Sequence, residues 1–198
     1  MFDTLVLASR NAGKAAELEA LIAPLGISVR PVSDFDVPPA EEPFDTFIEN
    51  ALAKARHTSQ HTGLPAIADD SGLCVTALAG APGVQSARFA GEPSSDERNN
   101  ALLLERLDGI TERHAFFFSA IVVVRHAFDP CPLVADGEWH GEILTAPRGS
   151  NGFGYDPLFF LPDLDQTAAE LDARLKNTLS HRAAAMRRML ERLQILVG

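Results

Sequence analysis

Cysteine is scarce in this chain of 198 residues: only Cys74 and Cys131 are present, with no CxxC pair. That excludes a disulfide framework and a cysteine-based zinc site, and it fits a reducing cytoplasm. Basic residues are few as well, 17 Lys and Arg against 27 Asp and Glu, for a formal net charge of -10. Binding to a nucleic-acid backbone draws on clustered Lys and Arg, so no nucleic-acid partner is expected, whereas a free nucleotide carrying Mg2+ is compatible. Long apolar runs are missing too. The longest, Ala115 to Val124, is too short to span a bilayer and contains Ser119, and the opening Met1-Phe2-Asp3 lacks the basic start of a secretory signal. The expectation is a soluble, unprocessed, cytoplasmic chain with no membrane partner.

What is present suffices for a core, since 46% of the residues are apolar. At this length one α/β domain over residues 1–198 is expected, or two lobes sharing one sheet. Thr4 to Ala8 reads as a buried strand, followed by the Ser9 to Gly13 loop and a helix from about Lys14 to a stop at Pro24. Ile27 to Val32 is a second strand candidate, and Ser33 to Pro43 a proline-rich acidic loop carrying Glu41 and Glu42. From Thr46 to about Thr62 the spacing predicts a helix, with Thr46, Asn50, Lys54 and His57 forming a polar stripe. Ala66 to Ala68 reads as a short strand ending in Asp69-Asp70-Ser71-Gly72. Ser95 opens a helix to about Leu107, and Ala115 to Val124 and Leu133 to Thr145 are long strands, the second interrupted by an Asp136-Gly137 turn signal. Ser180 is placed to cap a last helix whose apolar stripe runs from Met186 to Leu196.

Four clusters carry chemistry. Ser9-Arg10-Asn11-Ala12-Gly13-Lys14 supplies a hydroxyl, an amide, a cation and backbone N–H groups at a helix start, a grip suited to phosphate. It is not a P-loop, because the required first Gly falls on Ala8 and the metal-binding Ser or Thr on Ala15. Asp69-Asp70 follows a strand, so its acids suit a metal and a water, and only one of two adjacent side chains is expected to face the site. Glu41 or Glu42 is a candidate second carboxylate, against the plainer reading of a solvated acidic loop. Gly152-Phe153-Gly154-Tyr155-Asp156-Pro157 combines a free backbone, two rings and a carboxylate, suited to a flat heterocycle; the plainer reading packs both rings into the core. Lys176, Ser180, His181 and Arg182 gather donors at the expected start of the last helix. His57 and His61 have metal-pair spacing but lack a catalytic Glu after the first His, which favours a solvated helix face.

Taken in order, Ser9-x-Asn11-x-x-Lys14, Thr46-Phe47-Ile48-Glu49-Asn50-Ala51 with Lys54, Ala68-Asp69-Asp70-Ser71-Gly72, Gly152 to Pro157 and Ser180-His181-Arg182 resemble the inosine triphosphate pyrophosphatase family over nearly the whole chain. The resemblance implies an elongated α/β fold, a mixed central sheet with flanking helices and two lobes around a nucleotide cleft, usually dimeric. It implies hydrolysis of ITP, dITP and XTP to monophosphate and pyrophosphate with Mg2+. By the same resemblance Ser9, Asn11, Gly13 and Lys14 bind the triphosphate, and Glu41 and Asp70 serve the metal, with Asp70 as general base. Phe153, Gly154, Tyr155, Asp156, Lys176, His181 and Arg182 surround base and ribose, while Lys54 joins Lys14 in offsetting phosphate charge and Ser71 contacts substrate. Ser9 stands where Thr is commoner, which keeps the hydroxyl. Two other readings stay open: a phosphatase with an aspartate nucleophile, and a nucleotide sensor without turnover.

Overall fold

Leu5, Val6 and Leu7 are all fully buried, as an apolar strand flanked on both faces must be. The computed structural model describes residues 4–22 and 27–195. Along the chain run β1 (Thr4–Leu7), α1 (Ala12–Ile22), β2 (Ser28–Pro31), α2 (Phe47–Thr62), β3 (Ala66–Val75), α3 (Asp96–Arg106), β4 (His114–Val124), β5 (Leu133–Ile143), β6 (Phe159–Leu161), β7 (Gln166–Thr167), α4 (Ala173–Leu179) and α5 (His181–Ile195). Among the described residues the strands form one seven-stranded sheet in the order β2-β1-β3-β4-β5-β6-β7. β1 pairs in parallel with β2 and β3, while β5, β6 and β7 pair antiparallel. The sheet is therefore mixed, as expected. The helix stop expected at Pro24 and Leu196, the last residue of the expected apolar stripe, lie outside the described residues.

The chain divides into two compact units. One comprises residues through Asp70, Ser119–Gly137 and those from Arg182 onward, and the other Ser71–Phe118 and Glu138–His181. In the first unit, Leu5 and Leu7 pack with Leu18 and Ile22 of α1, Ile67 of β3 and Met186 and Met189 of α5, while Val6 turns to Val32 and Val37. Each such buried side chain contributes about 1.5–3 kcal/mol. In the second unit the Phe117 and Phe159 rings meet at 4.6 Å between centroids and Trp139 and Phe159 at 5.4 Å, so the phenylalanine run supplies core.

α2 begins where its sequence says. The Thr46 hydroxyl accepts from the Glu49 N–H and donates to the Glu49 carboxylate, and Gly63 closes the helix in the left-handed conformation, a cap worth about 1 kcal/mol. Three expectations are corrected. β3 does not stop before Asp69 but runs to Val75, because its acids find partners and the Leu73 N–H is taken by Ser86 Oγ at 2.9 Å. A Cβ on Gly72 would lie 2.4 Å from both the Gly83 carbonyl and Ser86 Oγ, so only glycine lets that turn approach. Asp136-Gly137 does not break β5, which alternates buried and exposed positions through it. Lys176 sits on a separate helix, α4, capped by Asp172, and Ser180 ends that helix before α5 begins.

No helix among the described residues is long and apolar enough to cross a membrane. The two thiols differ sharply: Cys131 is exposed, whereas Cys74 is buried, and burial, aided by Glu138, pushes its thiol up to about 11. Since thiolate is the reactive form, native protein treated with iodoacetamide at pH 8 is expected to take up one equivalent quickly, at Cys131. Peptide mapping that found Cys74 alkylated at a similar rate would contradict this placement.

Candidate active site

In the first unit the site is built where α1 starts. Asn11 precedes the helix and its side-chain oxygen accepts from the Lys14 N–H at 3.0 Å, while Ser9 Oγ reaches the Asn11 carbonyl at 3.4 Å. Gly13 lies half-buried in the first turn. The Lys14 ammonium turns to Asp69 Oδ2 at 3.5 Å. Burial pulls its pKa below the ordinary lysine value, with Asp69 opposing.

Asp69 is a buried carboxylate with every demand met. Ser119 Oγ donates to Oδ1 at 2.5 Å, Lys14 and Arg182 Nε each lie 3.5 Å from Oδ2, and Arg182 also pairs with Glu17. Burial works against the charge, but Arg182 and Lys14 outweigh it and hold the carboxyl well below the usual range. Arg182, expected at the base, is thus engaged beside Lys14, fully inside the structure.

Asp70 meets a different set. Its Oδ1 accepts from Lys54 Nζ at 2.9 Å, and the same ammonium donates to Glu42 Oε2 at 2.7 Å. Burial raises the Asp70 pKa against the pull of Lys54 and Lys14. Burial acts the same way on Glu42, but there Lys54 prevails and lowers it. For Lys54, burial is outweighed by the two carboxylates, so its pKa rises. Asp70 Oδ2 is buried and has no hydrogen-bond partner among the described residues. Of the two candidate glutamates the structure brings Glu42 to Asp70 through Lys54, while Glu41 is exposed. Ser71 follows in β3, half-buried.

In the second unit Gly152 and Gly154 both have positive φ, +77° and +63°. Their turn brings the Asp156 carboxylate back onto its own loop, where Oδ2 accepts from the Phe153 N–H at 2.9 Å and from Lys176 Nζ at 2.6 Å. Lys176 Nζ also stands 5.0 Å from the Phe153 ring centroid, a cation–π arrangement. Asp156 and Lys176 are buried. Tyr155 does not present its ring to solvent: it belongs to the core and its hydroxyl donates to the Ser86 carbonyl at 2.8 Å. The plainer reading therefore holds for Tyr155, while Phe153 stays half-exposed. His181 stacks on Phe117 at 4.9 Å.

Several residues that the motifs did not single out complete these clusters. Glu17 and Ser119 hold Arg182 and Asp69. Asp96 accepts from the Gly154 N–H at 2.6 Å and Asn100 donates to the Gly154 carbonyl at 2.8 Å. Their i, i+4 spacing on one helix face was the available signal.

A helix start with cations gathered around two buried acids, beside the parallel strands of a mixed sheet, defines a phosphate-handling α/β protein. Residues 5–192 match the Ham1 family. The chain is 73% identical over 193 residues to a dITP/XTP pyrophosphatase of Aromatoleum aromaticum, covering 98% of both chains. It is 60% identical over 196 residues to one of Chromobacterium violaceum, covering 99% of this chain and all of the other. Among solved structures, a HAM1 protein from Coxiella burnetii superposes with a TM-score of 0.91 at 46% identity, covering 98% of this chain and 99% of that one. The chain belongs to the Ham1 family, which bears out the resemblance drawn from its motifs.

The glycine loop makes a sharp demand. A Cβ on Gly154 meets open space, so Gly154→Ala bears only the left-handed strain of about 1–2 kcal/mol. A Cβ on Gly152 would lie 2.0 Å from Asp156 Oδ2. Thermal unfolding is therefore expected to show a larger loss for Gly152→Ala than for Gly154→Ala; equal losses would show that Asp156 moves aside freely.

Proposed function

We propose that the chain hydrolyses non-standard purine nucleoside triphosphates, ITP, dITP and XTP, to the nucleoside monophosphate and pyrophosphate, clearing them from the nucleotide pool. The observation that carries this reading is Asp70, a buried carboxylate with one oxygen held by Lys54 and the other left without a hydrogen-bond partner among the described residues. The names of the relatives from Aromatoleum aromaticum and Chromobacterium violaceum support the same substrates. Residues 1–198 act as one catalytic domain, in the cytoplasm and as a homodimer; composition supports the first location and the family resemblance the second state.

The donor set fits a hard divalent cation such as Mg2+. No group of three or more His, Cys, Asp or Glu gathers among the described residues, but Mg2+ is commonly bound through one or two carboxylates plus substrate phosphates. Asp70 with Glu42 supplies that pair, and the partnerless Oδ2 is an oxygen in want of a positive neighbour. When bound, the cation would neutralise phosphate charge and make the α-phosphorus more electrophilic.

The protein's own part is positional. The Asn11-capped start of α1 offers N–H groups to the phosphates, and Lys14 and Lys54 offset the charge that develops as pyrophosphate leaves. Asp70 orients a water and takes its proton as the water oxygen attacks the α-phosphorus and the bond to the bridging oxygen breaks. Arg182, locked on Asp69, keeps positive potential beside Lys14. Phe153 and the Asp156–Lys176 pair address the base. Lys176 is a donor only, which suits the 6-oxo group of hypoxanthine or xanthine and opposes the 6-amino group of adenine.

Product analysis across ITP, dITP, XTP, ATP and GTP tests the reading: pyrophosphate with the first three is expected, and orthophosphate would favour the aspartate-nucleophile alternative. Tight binding without metal-dependent turnover would favour a sensor. Asp70→Asn is expected to lower kcat by about 10²- to 10⁴-fold, the usual worth of a placed general base, with circular dichroism unchanged. Near-wild-type turnover in that variant would remove Asp70 from the chemistry.

A further inference from the structure

The acidic loop between β2 and α2 lacks regular structure from Val37 to Asp45, yet Glu42 is held against Lys54 at 2.7 Å. At Val37 its carbonyl accepts from Arg10, and beyond that residue its backbone is held by one stripe of α2. Asn50 grips Phe44 at both ends of the residue, its oxygen accepting from the N–H at 3.1 Å and its nitrogen donating to the carbonyl at 3.0 Å. Lys54, one turn on, takes Glu42. His57, the next position of the same stripe, places Nε2 2.8 Å from the Pro38 carbonyl. A carbonyl only accepts, so that nitrogen carries the proton and donates. The three contacts at spacings i, i+4 and i+7 run antiparallel to the loop, from Phe44 back to Pro38, with Glu42 between the outer two.

We infer that His57 is a positioning residue: with Asn50 it pins the loop on either side of Glu42 and so delivers that carboxylate to Asp70. Without the outer pins Lys54 alone holds the stretch between Val37, which is anchored by Arg10 and by its packing on Val6 and Val32, and the start of α2. The bracket restricts the loop before any ligand arrives. His61 is not part of the bracket, since its Nδ1 donates to the His57 carbonyl within the helix. It steadies the turn that carries His57, the two rings lying 4.3 Å apart. The inference rests on the two-carboxylate reading of the cation site.

The test uses the full chain with His57→Phe, which keeps a ring and removes the donor, and His57→Gln, which restores a side-chain N–H. Glu42→Gln reports on the site itself. Metal-free hydrogen exchange over residues 37–45 should speed up in His57→Phe, with exchange in β3 unchanged. Mn2+ titrated into the substrate-free protein should bind more weakly, and the metal concentration giving half-maximal rate should rise about three- to ten-fold, the scale of one lost hydrogen bond. At saturating metal kcat should recover, and His57→Gln should restore both the exchange and the metal affinity. Unaltered loop exchange in His57→Phe, or an unaltered metal dependence while Glu42→Gln weakens it, overturns the inference alone. A Glu42→Gln protein with wild-type metal dependence overturns the two-carboxylate reading and the inference with it.

Discussion

Two adjacent carboxylates inside one buried strand impose the constraint on which the first unit depends. In an extended chain successive side chains point to opposite faces, so Asp69 and Asp70 must each find cations on a different side of β3. Asp69 shares its face with Ile67 and draws on α1 and α5 through Lys14 and Arg182; Asp70 draws on α2 through Lys54. Leaving either acid unpaired would cost several kcal/mol, since removing one partner of a buried ion pair typically destabilises by about 3–5 kcal/mol. The helices are thereby tied to the strand by charge as well as by apolar packing. The two acids nonetheless end in different states. Asp69 is saturated by Ser119, Lys14 and Arg182 and is held far below the usual carboxylate range, so it serves as a permanent anchor. Asp70 keeps one buried oxygen without a hydrogen-bond partner among the described residues, which leaves both of its acceptor sites for a proton or a cation.

Much of this was legible in the residue pattern, for physical reasons that differ by element. α2 was readable from end to end, because Thr46 with Glu49 and the apolar spacing act within a few residues, and the structure starts and stops it there. The strand at Ala115 to Val124 was equally plain, being a continuous apolar run. β3 is not legible beyond Ala68, because Asp-Asp-Ser-Gly is turn chemistry in isolation. Its continuation depends on Ser119, Lys14 and Ser86, partners far away in sequence that no local rule supplies. β5 passes through Asp136-Gly137 for a similar reason, its alternation of buried and exposed side chains outweighing a two-residue turn signal. β6, β7 and α4 leave no trace in the pattern because they are two to seven residues long, too short for periodicity to show.

The candidate site was legible as a set of residues but not as a set of contacts. Lys14, Lys54 and Asp70 were all singled out, and the structure gathers them. Glu41 and Glu42 cannot be told apart by composition; what separates them is which one the α2 stripe holds beneath the loop. Tyr155 looked like half of an aromatic clamp, yet its ring belongs to the core and its buried hydroxyl, raised in pKa by burial and by Asp96, is spent on the Ser86 carbonyl. Arg182 has the donors of a base reader, and the structure pairs them with Glu17 and Asp69. In each case the residue type set what the side chain can do, and non-local packing chose where it does it.

Both irregular segments that hold candidate site residues are held in the same manner, by polar side chains of a regular helix reaching loop backbone. In the first unit Asn50 and His57 of α2 grip Phe44 and Pro38. In the second, Asp96 and Asn100 of α3 take the N–H and the carbonyl of Gly154. Backbone groups are obligatory hydrogen-bonding partners wherever water is excluded, so a helix stripe that satisfies them orders a loop with fewer demands on its own side chains, of which Asp156 takes the Phe153 N–H. A loop free to use its side chains for ligand, on a backbone already ordered, meets less conformational cost when the ligand binds, and that is the condition a pocket needs if it is to discriminate between purines that differ by a single exocyclic group.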